Sequence, residues 1–399
     1  MGVGRFVYTP ILPLMHAQAG LSAGAGANLA TANYVGYLVG ALAGILLPRL
    51  VRSTAVLRGS LLALVASLAA MPLTHSTTVW LLLRLGAGVL SALIFVIAAS
   101  SLLSHLRAHP AHLPGWAFGG VGAGIALSGL LVLMLRTVGT WQAAWWASAA
   151  LAAALTLAAW GLRPEPAPRP VPSASVTHVR TSGPRTHRWF GALLASYTLE
   201  GIGYIISGTF LVAAIEQTSP GWIGSGAWVL VGLAAVPSSA LWAWLGRRWS
   251  RPGLLLAALG VQAVGIALPA LVGGVAAALI SAVLFGATFI GVSTLALATG
   301  AHLRFPRAVA LLTAGYSVGQ ILGPLVATPL LHHGYHQALI LASVVVLAAA
   351  LAALVLRIGF PHHMPPPGHP VRHSEPASGH PLDAQTCGRA AVRAVPPAQ

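Results

Sequence analysis

Charge is scarce in this chain of 399 residues. Five residues are acidic, all 21 basic residues are arginine, and charged side chains make up 7% of the total against 57% hydrophobic. A soluble domain carries about a quarter charged residues, so this composition cannot cover a soluble surface. The missing lysine excludes Schiff-base chemistry and a titrating ammonium, because arginine stays protonated; a GC-rich coding bias is reason enough for its absence. The few carboxylates leave little from which to build a buried His/Asp or Ser/His constellation, which disfavours a membrane-embedded enzyme. One cysteine, Cys387, excludes an intramolecular disulfide. No Walker motif or phosphate-cradling loop occurs, and Gly2-x-Gly4 opens an apolar run and not a strand-to-helix turn, so no nucleotide cofactor is expected.

What the chain has in abundance is apolar runs about 20 residues long, the length of a helix crossing roughly 30 Å of hydrocarbon. Breaks between them give twelve candidate spans, at 2–15, 27–47, 54–73, 79–103, 116–135, 141–162, 189–215, 222–245, 253–272, 275–299, 308–330 and 337–358. The expected fold is therefore all-α and embedded in a lipid bilayer. A Pro-, Ser- and Arg-rich stretch at 163–188 divides the spans six and six and suits a solvated linker. Residues 359–399 form a Pro- and His-rich tail, expected to be disordered; its histidines keep no metal-ligand spacing, so no metal site is expected.

The net charge of +16 raises nucleic acid as a partner, but the arginines are scattered through short loops. The loops after even-numbered spans hold fourteen, among them Arg49, Arg52, Arg107, Arg163, Arg247, Arg248, Arg304 and Arg307, whereas the opposite loops hold only Arg136. The positive-inside rule then puts both termini in the cytoplasm of a cell inner (plasma) membrane protein, with no nucleic-acid partner. Trp80, Trp141, Trp189, Trp222 and Trp249 fall near span ends, where amphipathic rings prefer to sit.

An internal repeat links the halves. "GVGRFVYTPILP" (Gly2 to Pro13) lies on "GIGYIISGTFLV" (Gly201 to Val212), the first span of one half on the first of the other. Parallel six-helix repeats are a transporter architecture. The alignment sets Arg5 against Tyr204 and Met1 against Glu200, about two-thirds and halfway across the bilayer. A chain starting there would hold a charged amino group in hydrocarbon, so Met1 is expected not to be the native start, with about 10–15 residues of the first span missing. A re-entrant first segment is the alternative.

"GVGRFVYTPILPLM" with "ANYVGYLVGALAG", "LEGIGYIISGTFL", "LFGATFIGVSTLALATG" and "GYSVGQILGPLVA" together resemble the YbfB/YjiJ family of the major facilitator superfamily (MFS), over residues 2 to 358. The resemblance implies two six-helix bundles, here 1–162 and 189–358, whose first and fourth spans each line a central cavity. It also implies a monomer moving a small solute by alternating access. "RLGAG" (Arg84 to Gly88) is similar to the superfamily's Arg-x-x-x-Gly pattern. The acidic residue of the usual loop after the second span is absent from "GALAGILLPRLVR", which puts the customary gating charge relay in doubt.

Ionisable groups inside a membrane are functional by default. Arg5, Arg84 and Glu200 fall on cavity-lining spans, with Glu216 near the outer end of the seventh. Glu200 is the one carboxylate placed near mid-bilayer and a candidate for proton coupling, because desolvation and a nearby arginine pull in opposite directions on its proton. Arg5 could pair with Glu200, in a static bridge or a coupled one, or receive an anionic substrate group. Arg84 either faces the cavity or snorkels to the interface. Tyr8, Tyr204, Thr209, Thr288 and Ser293 are uncharged candidates to orient a substrate, and Gln320 is too costly to leave unpaired in lipid. Each could equally serve as an interhelical hydrogen bond. The functional expectation is a secondary transporter of a small organic solute, an organic anion being one candidate, coupled to protons. A membrane-embedded enzyme and a non-transporting sensor are the alternatives.

Overall fold

With no water in the bilayer core, a spanning segment must pair its own backbone groups, so long apolar runs close as helices. The computed structural model describes residues 1–105, 113–135, 139–164, 184–219 and 221–361. Among the described residues every regular element is helical. The first half contains α1 (Gly2–Phe6), α2 (Tyr8–Ala19), α3 (Ala23–Leu46), a short α4 (Pro48–Val51), α5 (Thr54–Ala70), α6 (Thr77–His105), α7 (Leu113–Leu135) and α8 (Trp141–Ala158). The second contains α9 (Pro184–Thr218), α10 (Trp222–Leu245), α11 (Arg251–Leu271), α12 (Gly274–His302), α13 (Ala308–Ala327) and α14 (Tyr335–Arg357).

Ten of these are long and apolar enough to cross a membrane, among the described residues. The first and sixth expected spans, α1 with α2 and the 18-residue α8, are not among the ten. Most of the expected linker and nearly all of the expected tail, with Arg107, Arg136, Cys387 and the tail histidines, lie outside the described residues.

Local chemistry sets several ends. Ser22, Ser53 and Thr140 accept backbone N–H groups at the starts of α3, α5 and α8, satisfying donors that a helix leaves open. Gly20, at φ +67°, closes α2 in the left-handed conformation that glycine adopts without penalty. The break between α1 and α2 at Val7 traces to Pro10, which has no N–H to offer the Phe6 carbonyl.

The packing of the first six spans recurs in the last six. α3 packs on α6 as α10 packs on α12, α5 on α6 as α11 on α12, α5 on α8 as α11 on α14, and α1 on α7 as α9 on α13. Early helices meet late ones chiefly through α7 with α10, α3 with α13 and α2 with α9. Where helices cross most closely the backbones touch. A Cβ added at Gly36 would meet the Leu85 carbonyl at 2.0 Å, and one at Gly88 the Asn33 carbonyl at 2.0 Å, along the α3–α6 seam. On the α7–α10 seam, a Cβ at Gly232 would come within 2.1 Å of the Ala126 nitrogen. Gly36, Gly40 and Gly44 form a small-residue face along this seam with α6, meeting Leu85, Val89 and Val96.

Candidate substrate and proton site

Among the described residues three charged side chains are buried: Arg5 at 6% exposure, Arg84 at 2% and Glu200 at 0%. They belong to α1, α6 and α9. Burying a charge without a partner costs several kcal/mol, so the partners of each decide what the site can do.

Arg5 donates from Nη2 to the Oε1 of Gln320 on α13, a bond between an early helix and a late one. Its Cζ lies 4.2 Å from the Tyr37 ring centroid and 5.2 Å from those of Tyr34 and Phe6. Arg84 turns inward: its Nη2 donates to the Arg5 carbonyl at 3.3 Å, and its guanidinium sits 4.8 Å from the Tyr8 centroid. Its own carbonyl accepts from Asn33 Nδ2 at 2.9 Å. Aromatic rings thus lie close around both cations, and Tyr37 is also a side-chain hydrogen-bond partner of Arg5. Nε of Arg5, and Nε and Nη1 of Arg84, have no hydrogen-bond partner.

Glu200 stands apart from both arginines. Its Oε1 accepts from Gln262 Nε2 of α11 at 3.2 Å, while Glu200 Oε2 and Gln262 Oε1 have no partner. Of the two roles open to Arg5, pairing with Glu200 is not seen: Arg5 is bonded to Gln320 and Glu200 to Gln262. Helical phase explains this. On α9, Ser196 and Gly203 pack on α14, with Ser196 Oγ donating to the Ala349 carbonyl at 2.8 Å and Gly203 facing Ala342 and Val346. Tyr197 and Tyr204 occupy the neighbouring face. Glu200 falls between the two faces at 100° per residue, which turns its carboxyl towards α11.

The second-half wall of the centre is aromatic. Tyr204 stacks on Phe289 at 5.3 Å, Tyr316 at 5.8 Å and Phe285 at 6.0 Å, all within 18° of parallel. Tyr197 continues the stack on Tyr316 at 4.4 Å. Tyr204 and Tyr316 lie near enough to Arg5 to feel its charge. Two hydroxyl contacts bridge the halves beside them: Tyr34 Oη with Thr209 Oγ1 at 3.0 Å, and Thr9 Oγ1 donating to the Gly208 carbonyl at 2.6 Å.

The structure thus brings Arg5, Arg84, Tyr8, Tyr204, Thr209 and Gln320 into one region. Tyr8 Oη donates to the Gly26 carbonyl at 2.9 Å. Ser293 is half-buried within hydrogen-bonding reach of Tyr197. Thr288 is not brought in: its hydroxyl bonds to the Leu284 and Phe285 carbonyls of its own helix. Sequence reasoning missed Asn33, Tyr34, Tyr37, Tyr197, Gln262 and Tyr316. For Asn33 and Gln262 the signal was present, a lone amide side chain in an apolar run, which is the argument that singled out Gln320.

Membrane-crossing helices whose packing repeats six on six, enclosing buried charge at their centre, define a transporter of the major facilitator class. Within it, the chain belongs to the family described as the uncharacterised MFS-type transporter YbfB, which it matches over residues 1–356. Among solved structures it is similar to a point mutant of the nucleoside transporter NupG, at 13% identity and a TM-score of 0.67, covering 89% of this chain and 98% of that one. At that identity the likeness shows the fold. No curated protein matches the chain by sequence.

Proposed function

We propose that this protein is a proton-coupled secondary transporter that moves a small organic solute by alternating access between two bundles, residues 1–162 and 189–358. The solute site lies where Arg5, Arg84, Gln320 and the tyrosines meet, and Glu200 carries the proton. The arginine-rich loops face the cytoplasm, and the working unit is a monomer in the inner membrane.

The observation that carries this reading is the state of Glu200. It is fully enclosed, its one partner is a neutral amide, and Oε2 is unpaired beside an amide whose own oxygen is unpaired. Ionised, it would be an uncompensated charge in a low-dielectric interior. Protonated, Oε2 becomes a donor and the Gln262 oxygen is an available acceptor. The groups near enough to feel its charge are Tyr197 and Tyr204 of its own helix and Tyr316 of α13, and none is a cation. A carboxyl of this kind can hold a proton in one conformation and release it when the helices part. Its separation from the arginines leaves them free for the solute.

A nucleoside, the cargo named for NupG, would suit the aromatic wall by its flat base. It would leave two guanidiniums without counter-charge, so an anion is favoured.

The test is reconstitution in proteoliposomes with a pH-sensitive dye inside. Solute addition should move protons through the native protein, and Glu200→Gln should abolish proton movement while sparing solute exchange. If solute flux keeps its full pH dependence with Gln at 200, proton coupling through this residue is wrong. Absence of any flux, with binding intact, would favour a sensor.

A further inference from the structure

Arg84 cannot be read as a structural residue satisfied by the fold. It is 2% exposed, yet two of its nitrogens have no partner, and the adjacent Arg5 has a third. Buried polar groups in native proteins are hydrogen-bonded in the great majority of cases. The carboxylates among the described residues are Glu200 and Glu216. Glu200 is bonded to Gln262, and Glu216 lies against Gly224 near the start of α10. Two neighbouring guanidiniums therefore share one enclosed region with no acid of the described chain between them. Their open N–H groups call for an acceptor from outside the protein.

The surroundings specify its shape. Arg84 leaves two N–H groups open and Arg5 one, and a guanidinium takes anionic oxygens in its own plane. Within range of the Arg5 charge lies the near-parallel ring surface of Tyr204, Phe289, Phe285 and Tyr316, contributed by three helices. Flat π-systems stack in offset, parallel fashion on such surfaces.

We infer that the solute of this transporter is a flat aromatic carboxylate, its oxygens taken by the N–H edges of Arg84 and Arg5 and its ring laid along Tyr204. This rests on the transport reading above and narrows it. Arg84 is the principal anion receptor, because Arg5 is also held by Gln320.

The test is a binding series on the purified full chain in detergent, by calorimetry, with four probes. Benzoate is flat and anionic; cyclohexanecarboxylate is anionic but not flat; benzamide is flat but neutral; phosphate is an inorganic anion. Benzoate should bind at least about tenfold more tightly than each of the others, the ratio expected from one charge-assisted hydrogen bond or a well-stacked ring. Arg84→Lys, which keeps the charge but loses the planar fork, should weaken benzoate by about tenfold or more. Tyr204→Leu should bring benzoate and cyclohexanecarboxylate to equal affinity. Benzamide binding as well as benzoate would overturn the anion assignment, and cyclohexanecarboxylate matching benzoate in the native protein would overturn the aromatic one. No binding by any probe would overturn the inference entire. The series on the native chain decides the matter even if a variant fails to fold. Benzoate binding without flux in proteoliposomes would sink the transport reading and leave the site assignment standing.

Discussion

Gln262 and Gln320 are chemically the same side chain with opposite assignments. Gln320 offers its oxygen to a cation, Arg5, whereas Gln262 offers its N–H to a carboxyl, Glu200. Each amide is thus matched to the charge of its partner, and substitutions should separate the two. Gln262→Leu removes the one hydrogen bond that Glu200 makes, so the pH at which transport is half-maximal should shift while solute affinity stays unchanged. Gln320→Leu should instead weaken solute binding through a displaced Arg5, leaving the pH midpoint in place; paired measurements of pH profile and affinity check both. The sequence pointed to Arg5, Arg84 and Glu200 because charge in an apolar run is conspicuous. Their partners were not legible, because which face of a helix a residue occupies relative to a distant helix is a property of the tertiary arrangement. That gap is why pairing with Glu200 and receipt of an anion both stayed open for Arg5.

At the level of helices, the apolar runs translate almost directly into elements. The expected span 222–245 is α10 to the residue, and 337–358 differs from α14 by one or two positions. Boundaries set by solvent and proline are local signals, which is why they can be read. The additional break at Val7 follows from Pro10, also local. Seams are a different matter, since a glycine's neighbour across a crossing is set by assembly. Gly88→Leu would drive a side chain into the Asn33 backbone at the α3–α6 crossing. It should destabilise the protein by about 1–3 kcal/mol or more, seen as a lowered melting temperature in detergent. Gly59→Leu, at a position with no heavy atom near its added Cβ, should be close to neutral in the same assay.

The six-plus-six repeat was legible for the whole molecule, since a duplicated opening motif and a polar stretch between halves are sequence features. Which helix of one half meets which of the other was not. Those contacts include Gly24 of α3, whose added Cβ would lie 3.9 Å from Thr328 Cγ2 just past α13. Cysteines at these two positions, in a Cys387→Ser background, can be joined by a short bifunctional thiol cross-linker that is cleavable by reduction. Cross-linking should stop solute flux and reduction restore it, if the halves must part at this end during the cycle; flux that survives complete cross-linking would refute that movement.

The bare crossing of α7 and α10 has a kinetic consequence. Backbones that slide past one another without interlocked side chains offer little friction to a pivot. The slow step of the cycle then belongs to whatever must be unfastened, and the Tyr34–Thr209 and Thr9–Gly208 bridges, with the Arg5–Gln320 bond, are fastenings that cross the centre. Turnover should accordingly answer to the loss of a single hydroxyl there more than to any change in the girth of the pivot's lipid-facing side.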